Sequence, residues 1–302
     1  MSRIIKWAGI VLGALAGAAA LAVLAIYFAS EVRLNQKYPL AAVPVTVPAD
    51  AAALERGRYL AEHVSVCVDC HGADFGGGLV VDDPALGRIV APNLTTGRNG
   101  LGGQLSDEAM ARVLLTGVLP DGKSVRVMPS DDYQYLSDAD LGALIAYVRS
   151  RPPVDSDWPE TELRPLGRLL MALGQLPIMI AERIPADQER PALPPSGVTV
   201  EHGQYLANIA GCTGCHGPGL SGGPIPGAPP DWPVALNLTP AGVVQGWSAA
   251  DFIQTIRTGT DPAGHQLAEE MPWRRYAGMT DAELQALWAF VSSVPPKEFG
   301  NR

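Results

Sequence analysis

Cysteine is scarce in this sequence. The 302 residues contain four cysteines, and all of them lie in two copies of one short motif, Cys67-Val68-Asp69-Cys70-His71 and Cys212-Thr213-Gly214-Cys215-His216. No cysteine is left for a structural disulfide, or for the second Cys-x-x-Cys pair that a four-cysteine zinc site needs. A lone motif of this kind also fits a zinc site or a redox dithiol, but the use of every cysteine in two identical arrangements favours another chemistry.

Positive charge is also in short supply. The chain has 22 Lys and Arg against 31 Asp and Glu, a formal net charge of −9. Binding of phosphates requires a basic face. This balance therefore argues against nucleic acid as a partner.

The alternation of polar and apolar residues that marks a half-buried strand is missing as well. We therefore predict an all-α fold. Two stretches rich in Gly and Pro, Gly72 to Pro92 and Gly217 to Pro233, are expected to be loops wrapped over a cofactor.

The repeated motif is typical of covalent haem attachment. Two thiols three residues apart each add to a vinyl group of one haem, and the adjoining histidine then binds the iron. We predict two haem c groups, one on each motif. The residues expected to hold them are Cys67, Cys70, His71, Cys212, Cys215 and His216.

The N-terminus contains an uncharged run from Trp7 to Ala29. As a helix this run rises about 34 Å, enough to cross a hydrocarbon core of about 30 Å. We predict a transmembrane anchor over residues 1–30 and an extended, proline-containing tether over residues 31–50. A cleaved secretory signal ending near Ala18-Ala19-Ala20 is the alternative, although the apolar run is longer than an ordinary signal core.

The orientation of this anchor follows from the charges around it. Basic residues precede the span, and positive charge tends to stay on the cytoplasmic side. The rest of the chain is therefore expected in the periplasm of a bacterial cell, anchored in the inner membrane by a single pass.

The second half of the chain repeats the first at an offset of about 145 residues. Gly57-Arg58-Tyr59-Leu60-Ala61 corresponds to Gly203-Gln204-Tyr205-Leu206-Ala207, and Met128-Pro129 corresponds to Met271-Pro272. The agreement indicates two copies of one fold. We place them at residues 51–153 and 197–302, joined by a connector over residues 154–196.

Helix signals recur inside each copy. Ser137 and Thr280 have the character of N-caps, each with an acid three residues later. Apolar residues then follow at helical spacing until Pro152-Pro153 or Pro295-Pro296. Each copy is therefore expected to end in a capped helix that follows its Met-Pro pair.

Each copy resembles a class I cytochrome c domain, with Cys-x-x-Cys-His near its start and a methionine before its last helix. The resemblance implies that Met128 and Met271 are the second axial ligands of the two irons; His265 is the rival for the second iron. It also implies that the first and last helices of a copy cross closely. The expected contacts at the crossings are Gly57 with Tyr147 and Gly203 with Phe290.

Four further residues have two open interpretations. They are expected either to bind haem propionates or to cap turns, and they are Asn93, Thr95, Asn237 and Thr239.

The whole layout is similar to the cytochrome c subunits of membrane-bound periplasmic gluconate, alcohol and aldehyde dehydrogenases. Many such subunits carry three haem motifs, whereas this chain has two. The connector is expected to form short amphipathic helices packed between the haem domains, with a surface lying on the membrane or on a partner as the alternative.

These observations predict a membrane-anchored dihaem cytochrome c that moves single electrons. The expected donor is a dehydrogenase or a quinol-linked complex, and the expected acceptor is a terminal oxidase or a soluble carrier. No constellation of acid, base or nucleophile stands out, so the chain by itself is not expected to be an enzyme. A dihaem peroxidase is the alternative, but it needs an iron with an open coordination position, which two matched Met-Pro sites argue against.

Overall fold

The N-terminal helix α1 (Ser2–Leu34) is a single element of 33 residues. We describe it and the rest of the chain from a computed structural model that covers residues 2–185, 189–228 and 232–302. The segment Arg3–Leu34 contains an 18-residue window with a mean hydropathy of 2.4, and it is long and apolar enough to cross a membrane. Most of its large apolar side chains are exposed, whereas Ser30 and Leu34 near its end are buried by other parts of the chain. The helix therefore runs four residues beyond the predicted end of the anchor.

Short helices provide most of the regular structure in the remainder of the described chain. The first repeat contains α2 (Ala51–Tyr59), continued by a π-helical turn (Leu60–Val64), then α3 (Val68–His71), α4 (Asp107–Thr116), α5 (Ser130–Tyr133) and α6 (Asp138–Arg149). The connector contains α7 (Pro165–Ala172) and a 3₁₀ turn (Ile180–Glu182). The second repeat contains α8 (Val200–Ile209), α9 (Cys212–His216), α10 (Ala249–Thr258), α11 (Trp273–Tyr276) and α12 (Asp281–Ser293).

The predicted N-caps of the last helices are confirmed. The Ser137 hydroxyl accepts a hydrogen bond from the Asp140 N–H, and the Thr280 hydroxyl accepts one from the Glu283 N–H. At α12 the Glu283 carboxylate also accepts from the Thr280 N–H, which completes a capping box. The shorter Asp140 side chain makes no such bond to Ser137. Its carboxylate instead accepts a hydrogen bond from the Tyr205 hydroxyl of the second repeat.

The two close helix crossings are confirmed as well. A Cβ atom placed on Gly57 would lie 2.7 Å from the Tyr147 Cβ and 2.7 Å from the Ala143 carbonyl carbon. A Cβ atom on Gly203 would lie 2.7 Å from the Phe290 Cβ and 2.6 Å from the Ala286 carbonyl carbon. Only glycine lets α2 approach α6, and α8 approach α12, at this distance.

The expectation of a fold without strands is wrong in the first repeat. β1 (Gly78–Asp83) and β2 (Gly87–Ala91) form an antiparallel hairpin, and β3 (Glu162–Leu163) pairs antiparallel with β2. The turn is held by the Asp83 carboxylate, which accepts hydrogen bonds from the Ala85 and Leu86 N–H groups. Short runs of Val and Ile favour these strands, but most of their side chains are only half-buried, so no clean alternation marks them.

The second predicted loop has no such hairpin in its described part. There the pairing is one isolated bridge between Gly223 and Ala235. Residues 229–231 of this loop, and residues 186–188 of the connector, lie outside the described residues.

The connector does form short helices, but its helical part does not lie between the repeats as expected. Its buried side chains pack on the end of α1 and on the first repeat. One cluster comprises Leu34, Leu163, Met171, Ile178 and Met179. A second joins Ile180 to Val113 and Val125 of the first repeat.

The two repeats themselves share one apolar core. Buried side chains of the π-helical turn Leu60–Val64, α4 and α6 are continuous with those of α8, α10 and α12. The repeats therefore contact each other directly.

Candidate haem-binding sites

The first motif lies at α3, where Cys67 occupies the N-cap position and Cys70 and His71 lie in the helix. His71 is 8% exposed, and its Nδ1 lies 2.9 Å from the Pro92 carbonyl oxygen. This contact fixes the ring and leaves Nε2 free for a metal. Burial lowers the pKa of His71, an effect that the bond to Pro92 partly opposes, so the imidazole is held in the neutral form that metals bind.

The second motif has the same construction. Gly211 precedes α9 with φ of 75°, a left-handed conformation that suits glycine, and the helix then carries Cys212, Cys215 and His216. The His216 Nδ1 lies 2.7 Å from the Leu236 carbonyl oxygen. Burial also lowers the pKa of His216. Both histidines therefore offer Nε2 from a ring held by a backbone carbonyl.

The thiols of the two motifs are not activated. Burial raises the pKa of Cys67 and of Cys212 to about 12, with the neighbouring cysteine of each motif adding to the effect. Redox dithiols and zinc ligands work as thiolates, which require a lowered pKa. The environment favours neutral sulfur, as in a thioether, over these two alternatives.

Met128 and Met271 occupy equivalent loops that lead into α5 and α11. Both are partly buried and pack against the same apolar core as Cys67 and Cys212. Iron ligation by these methionines stays a prediction. The rival His265 points outward: its side chain is 80% exposed, and its Nδ1 lies 3.0 Å from the Asp261 carboxylate.

The side chains that are candidates for binding haem propionates form hydrogen bonds to the backbone of their own turns and of a neighbouring segment. The Asn93 carbonyl oxygen accepts from the Thr95 N–H, and its amide nitrogen donates to the Val154 carbonyl at 2.7 Å. In the second repeat the Asn237 side chain accepts from the Thr239 N–H and donates to the Lys297 carbonyl at 2.8 Å. These contacts favour the turn-capping interpretation, since they tie each loop to the segment that follows the last helix.

The repeats meet through two equivalent tyrosines. The Tyr205 hydroxyl donates to the Asp140 carboxylate at 2.7 Å and accepts from the Ser137 N–H at 3.2 Å, so it reaches the start of α6 in the other repeat. The Tyr59 hydroxyl donates in the same way to Glu283 and accepts from the Thr280 N–H at the start of α12. Burial raises the pKa of both tyrosines, so both hydroxyls stay protonated. The interface is therefore nearly two-fold symmetric.

Arg56 departs from that symmetry. Its guanidinium donates to the Asp140 carboxylate at 2.9 Å and to the Glu283 carboxylate at 3.2 Å. Burial alone would lower the pKa of Arg56, but the two carboxylates outweigh burial and raise that pKa above its usual value. One cation thus joins the first turns of the last helices of both repeats.

The haem motifs also face this interface. Arg275 of α11 pairs with Asp69 of the first motif, with Nε and Oδ1 2.7 Å apart. At the equivalent place in α5, the Asp132 carboxylate lies about 3.0 Å from where a Cβ atom on Gly214 of the second motif would be. Each short helix that follows a predicted methionine ligand therefore contacts the attachment motif of the other repeat.

This interface was not predicted from the sequence. Its signals were present as a tyrosine and an N3 acid repeated at equivalent positions. Their use across the two repeats, instead of within each, is set by tertiary packing.

Both sites fit a covalently bound haem. Each offers two neutral sulfurs, an imidazole with one free nitrogen and a methionine on the same core. Two buried polar atoms next to these residues, Ser65 Oγ and Trp273 Nε1, have no hydrogen-bond partner within the described residues. A group that fills the space beside the motifs would explain both.

The helical repeats and their two histidine sites define the chain as a c-type cytochrome. More narrowly, it belongs to the family described as cytochrome c oxidase, cbb3-type, subunit III, whose model matches residues 52–148 and 198–291. The two matches coincide with the two repeats.

Several curated proteins are similar to this chain. The gluconate 2-dehydrogenase cytochrome c subunit of Pantoea cypripedii is 33% identical over 184 residues, which are 56% of this chain and 39% of that protein. A nicotinate dehydrogenase subunit of Pseudomonas putida is 30% identical over 220 residues, which are 68% of this chain and 17% of that protein. The fructose dehydrogenase cytochrome subunit of Gluconobacter japonicus is 28% identical over 130 residues, 41% of this chain and 25% of that protein.

The predicted resemblance to cytochrome c subunits of dehydrogenases is confirmed by these matches. So is the prediction of an electron-transfer component that is not itself a catalytic enzyme. The chain spans only 17% to 39% of the length of the three relatives named above.

Proposed function

We propose that this chain is a membrane-anchored dihaem cytochrome that passes single electrons in the periplasm. The observation that carries the proposal is the pair of equivalent histidine sites. His71 and His216 each have Nδ1 fixed by a backbone carbonyl, beside two neutral cysteine sulfurs, in repeats that match the family model separately.

The bound haem would supply reversible one-electron exchange at its iron. The residues of this chain then have three tasks. The cysteines would tether the two groups, the Pro92 and Leu236 carbonyls would hold the His71 and His216 rings in place, and Met128 and Met271 would be the further ligands of the two irons. An iron held by both a histidine and a methionine would favour electron transfer over binding of peroxide or oxygen.

The partners are proposed from the relatives. Proteins similar to this chain are named as subunits of gluconate, fructose and alcohol dehydrogenases. We infer a dehydrogenase or a quinol-linked complex as donor, and a terminal oxidase or soluble carrier as acceptor. α1 would anchor the chain in the inner membrane and leave both repeats on the periplasmic side.

Spectroscopy of the purified full chain in detergent tests the ligation. We expect two haems per chain, both low-spin in the ferric state, with methionine-to-iron charge-transfer absorption. Replacing Met128 and Met271 together by leucine should remove that absorption and leave the haem content unchanged. The matched control is Met279→Leu, because Met279 is a fully buried methionine of the same core that is not a proposed ligand.

The same experiment separates the carrier from the peroxidase. One haem per chain would contradict the dihaem assignment. A high-spin or bis-histidine haem that reacts with peroxide after half-reduction would overturn the electron carrier and favour the peroxidase.

A further inference from the structure

Helix α7 is apolar on two sides. On its inner side Met171 is fully buried, and a Cβ atom on Gly167 would lie 3.0 Å from the Leu86 carbonyl carbon at the β1–β2 turn. On its outer side Leu166 is 43% exposed and Leu173, which caps the helix, is 62% exposed. A helix on a water-facing surface carries polar residues on its outer side. Exposed leucines at this spacing instead indicate contact with an apolar medium.

The position of α7 is fixed against the end of α1. The Arg168 guanidinium lies 4.9 Å from the centroid of the Tyr27 ring, and its Nη1 lies 3.0 Å from Ser30 Oγ and 3.0 Å from a Glu31 carboxylate oxygen. Farther along, the Arg33 Nη1 donates to the Met171 carbonyl at 2.8 Å. α7 is therefore held beside the last two turns of α1.

That part of α1 coincides with the expected edge of a bilayer. Trp7 and Tyr27 are separated by about 30 Å along the helix, which is the thickness of a hydrocarbon core. Aromatic residues at both ends of a span are typical of the two membrane surfaces. If Tyr27 marks the outer surface, the contacts of Arg168 place α7 at the same level.

We propose that α7 is a second membrane contact, lying in the boundary between lipid headgroups and acyl chains with Leu166 and Leu173 toward the lipid. The proposal rests on the membrane anchoring included in the proposed function. It continues the lipid contact of α1 onto the connector. With two contacts instead of one, the first repeat would be held at a fixed orientation close to the bilayer.

Site-directed spin labelling of the full chain in phosphatidylcholine liposomes tests this directly. The four native cysteines are expected to be thioethers, so Leu173→Cys introduces the single reactive thiol. We expect its label to collide with dissolved oxygen in preference to a water-soluble nickel chelate. Leu166→Cys is a second probe on the same side of the helix. Haem absorption checks that each variant is folded.

Two controls make the outcome specific. Leu193→Cys is the aqueous control, since Leu193 is 71% exposed in the part of the connector that follows α7 and the 3₁₀ turn. Val11→Cys, in the middle of α1, is the lipid control. If Val11 reports lipid while both α7 positions report water, the proposal is overturned and the anchor stands. If Val11 also reports water, the anchor itself is wrong.

A partner protein covering the same leucines gives a different result. The isolated chain would then show α7 labels in water, and they would lose nickel collisions only when the partner is added. That outcome would also overturn the lipid contact.

Discussion

Gly203 is the residue whose replacement should most clearly expose how the second repeat is built. In Gly203→Ala the new methyl carbon would lie 2.6 Å from the Ala286 carbonyl carbon and 2.7 Å from the Phe290 Cβ, and it would lie closer still to the Ala286 oxygen. The nearest atoms belong to the backbone of α12, which cannot rotate away as a flexible side chain does. α8 and α12 must therefore move apart.

The magnitude follows from two opposed effects. Overpacking of a close contact costs about 1–3 kcal/mol, and a contact with backbone belongs at the upper end of that range. Alanine in a helix is more stable than glycine by about 0.5–1 kcal/mol, which offsets part of that loss. We therefore expect a net loss of about 2 kcal/mol, which for a repeat of roughly this size lowers the thermal midpoint by about 10 °C.

Thermal unfolding of the full chain in detergent, followed by far-UV circular dichroism and haem absorption, measures this loss. Gly57→Ala should act similarly in the first repeat, because its methyl carbon would meet Ala143 and Tyr147 in the same way. Gly103→Ala is the matched control, since a Cβ atom there has no neighbour within 4 Å. If Gly203→Ala and Gly103→Ala have the same thermal midpoint, the close crossing of α8 and α12 is refuted.

Two further predictions concern the interface between the repeats. Arg56→Met should lower the free energy of unfolding by about 3 kcal/mol, because two buried carboxylates lose their cation. In denaturant titrations the control Arg98→Met, which breaks an exposed pair with Asp157, should lower it by less than about 1 kcal/mol. Equal losses for the two variants would contradict the bridging role of Arg56. Burial, reinforced by Asp131 and opposed by Arg183, raises the pKa of Asp132 to about 7. A carboxyl group with a raised folded-state pKa stabilises the fold at low pH and loses that contribution as pH rises. Asp132→Asn should therefore match the parent near pH 4 and become the more stable protein between pH 4 and pH 7; parallel stability curves over that range would show that Asp132 is not desolvated.

Local signals account for what the sequence predicted correctly. The caps at Ser137 and Thr280 each depend on residues within one helix, whereas the close crossings at Gly57 and Gly203 were expected from the resemblance to class I cytochrome c domains. The attachment motifs are local in the same sense, since Cys67 and His71 share one short turn, but haem attachment by them stays a prediction. Such features are readable because the residue type alone restricts the geometry.

Features that depend on distant packing were missed. The β1–β2 hairpin has half-buried strands whose third partner, β3, comes from the connector about 75 residues later. The placement of α7 depends on Arg168 reaching Tyr27 and Glu31, a contact between segments about 140 residues apart. Neither pairing leaves a periodic pattern in the sequence.

The interface between the repeats combines duplicated and unduplicated residues, and the combination has a physical reason. Tyr59 and Tyr205, with Glu283 and Asp140, form two equivalent contacts, so the interface places two buried carboxylates at the starts of α12 and α6. Two buried negative charges need a cation, but one guanidinium suffices if it reaches both. Arg56 does so, and the equivalent residue of the second repeat, His202, instead places its Nδ1 2.7 Å from the Gly197 carbonyl within its own repeat. Because one cation serves both last helices, the loss of Arg56 should destabilise the two repeats together, whereas Gly57→Ala and Gly203→Ala should each act first on the repeat that contains the substitution.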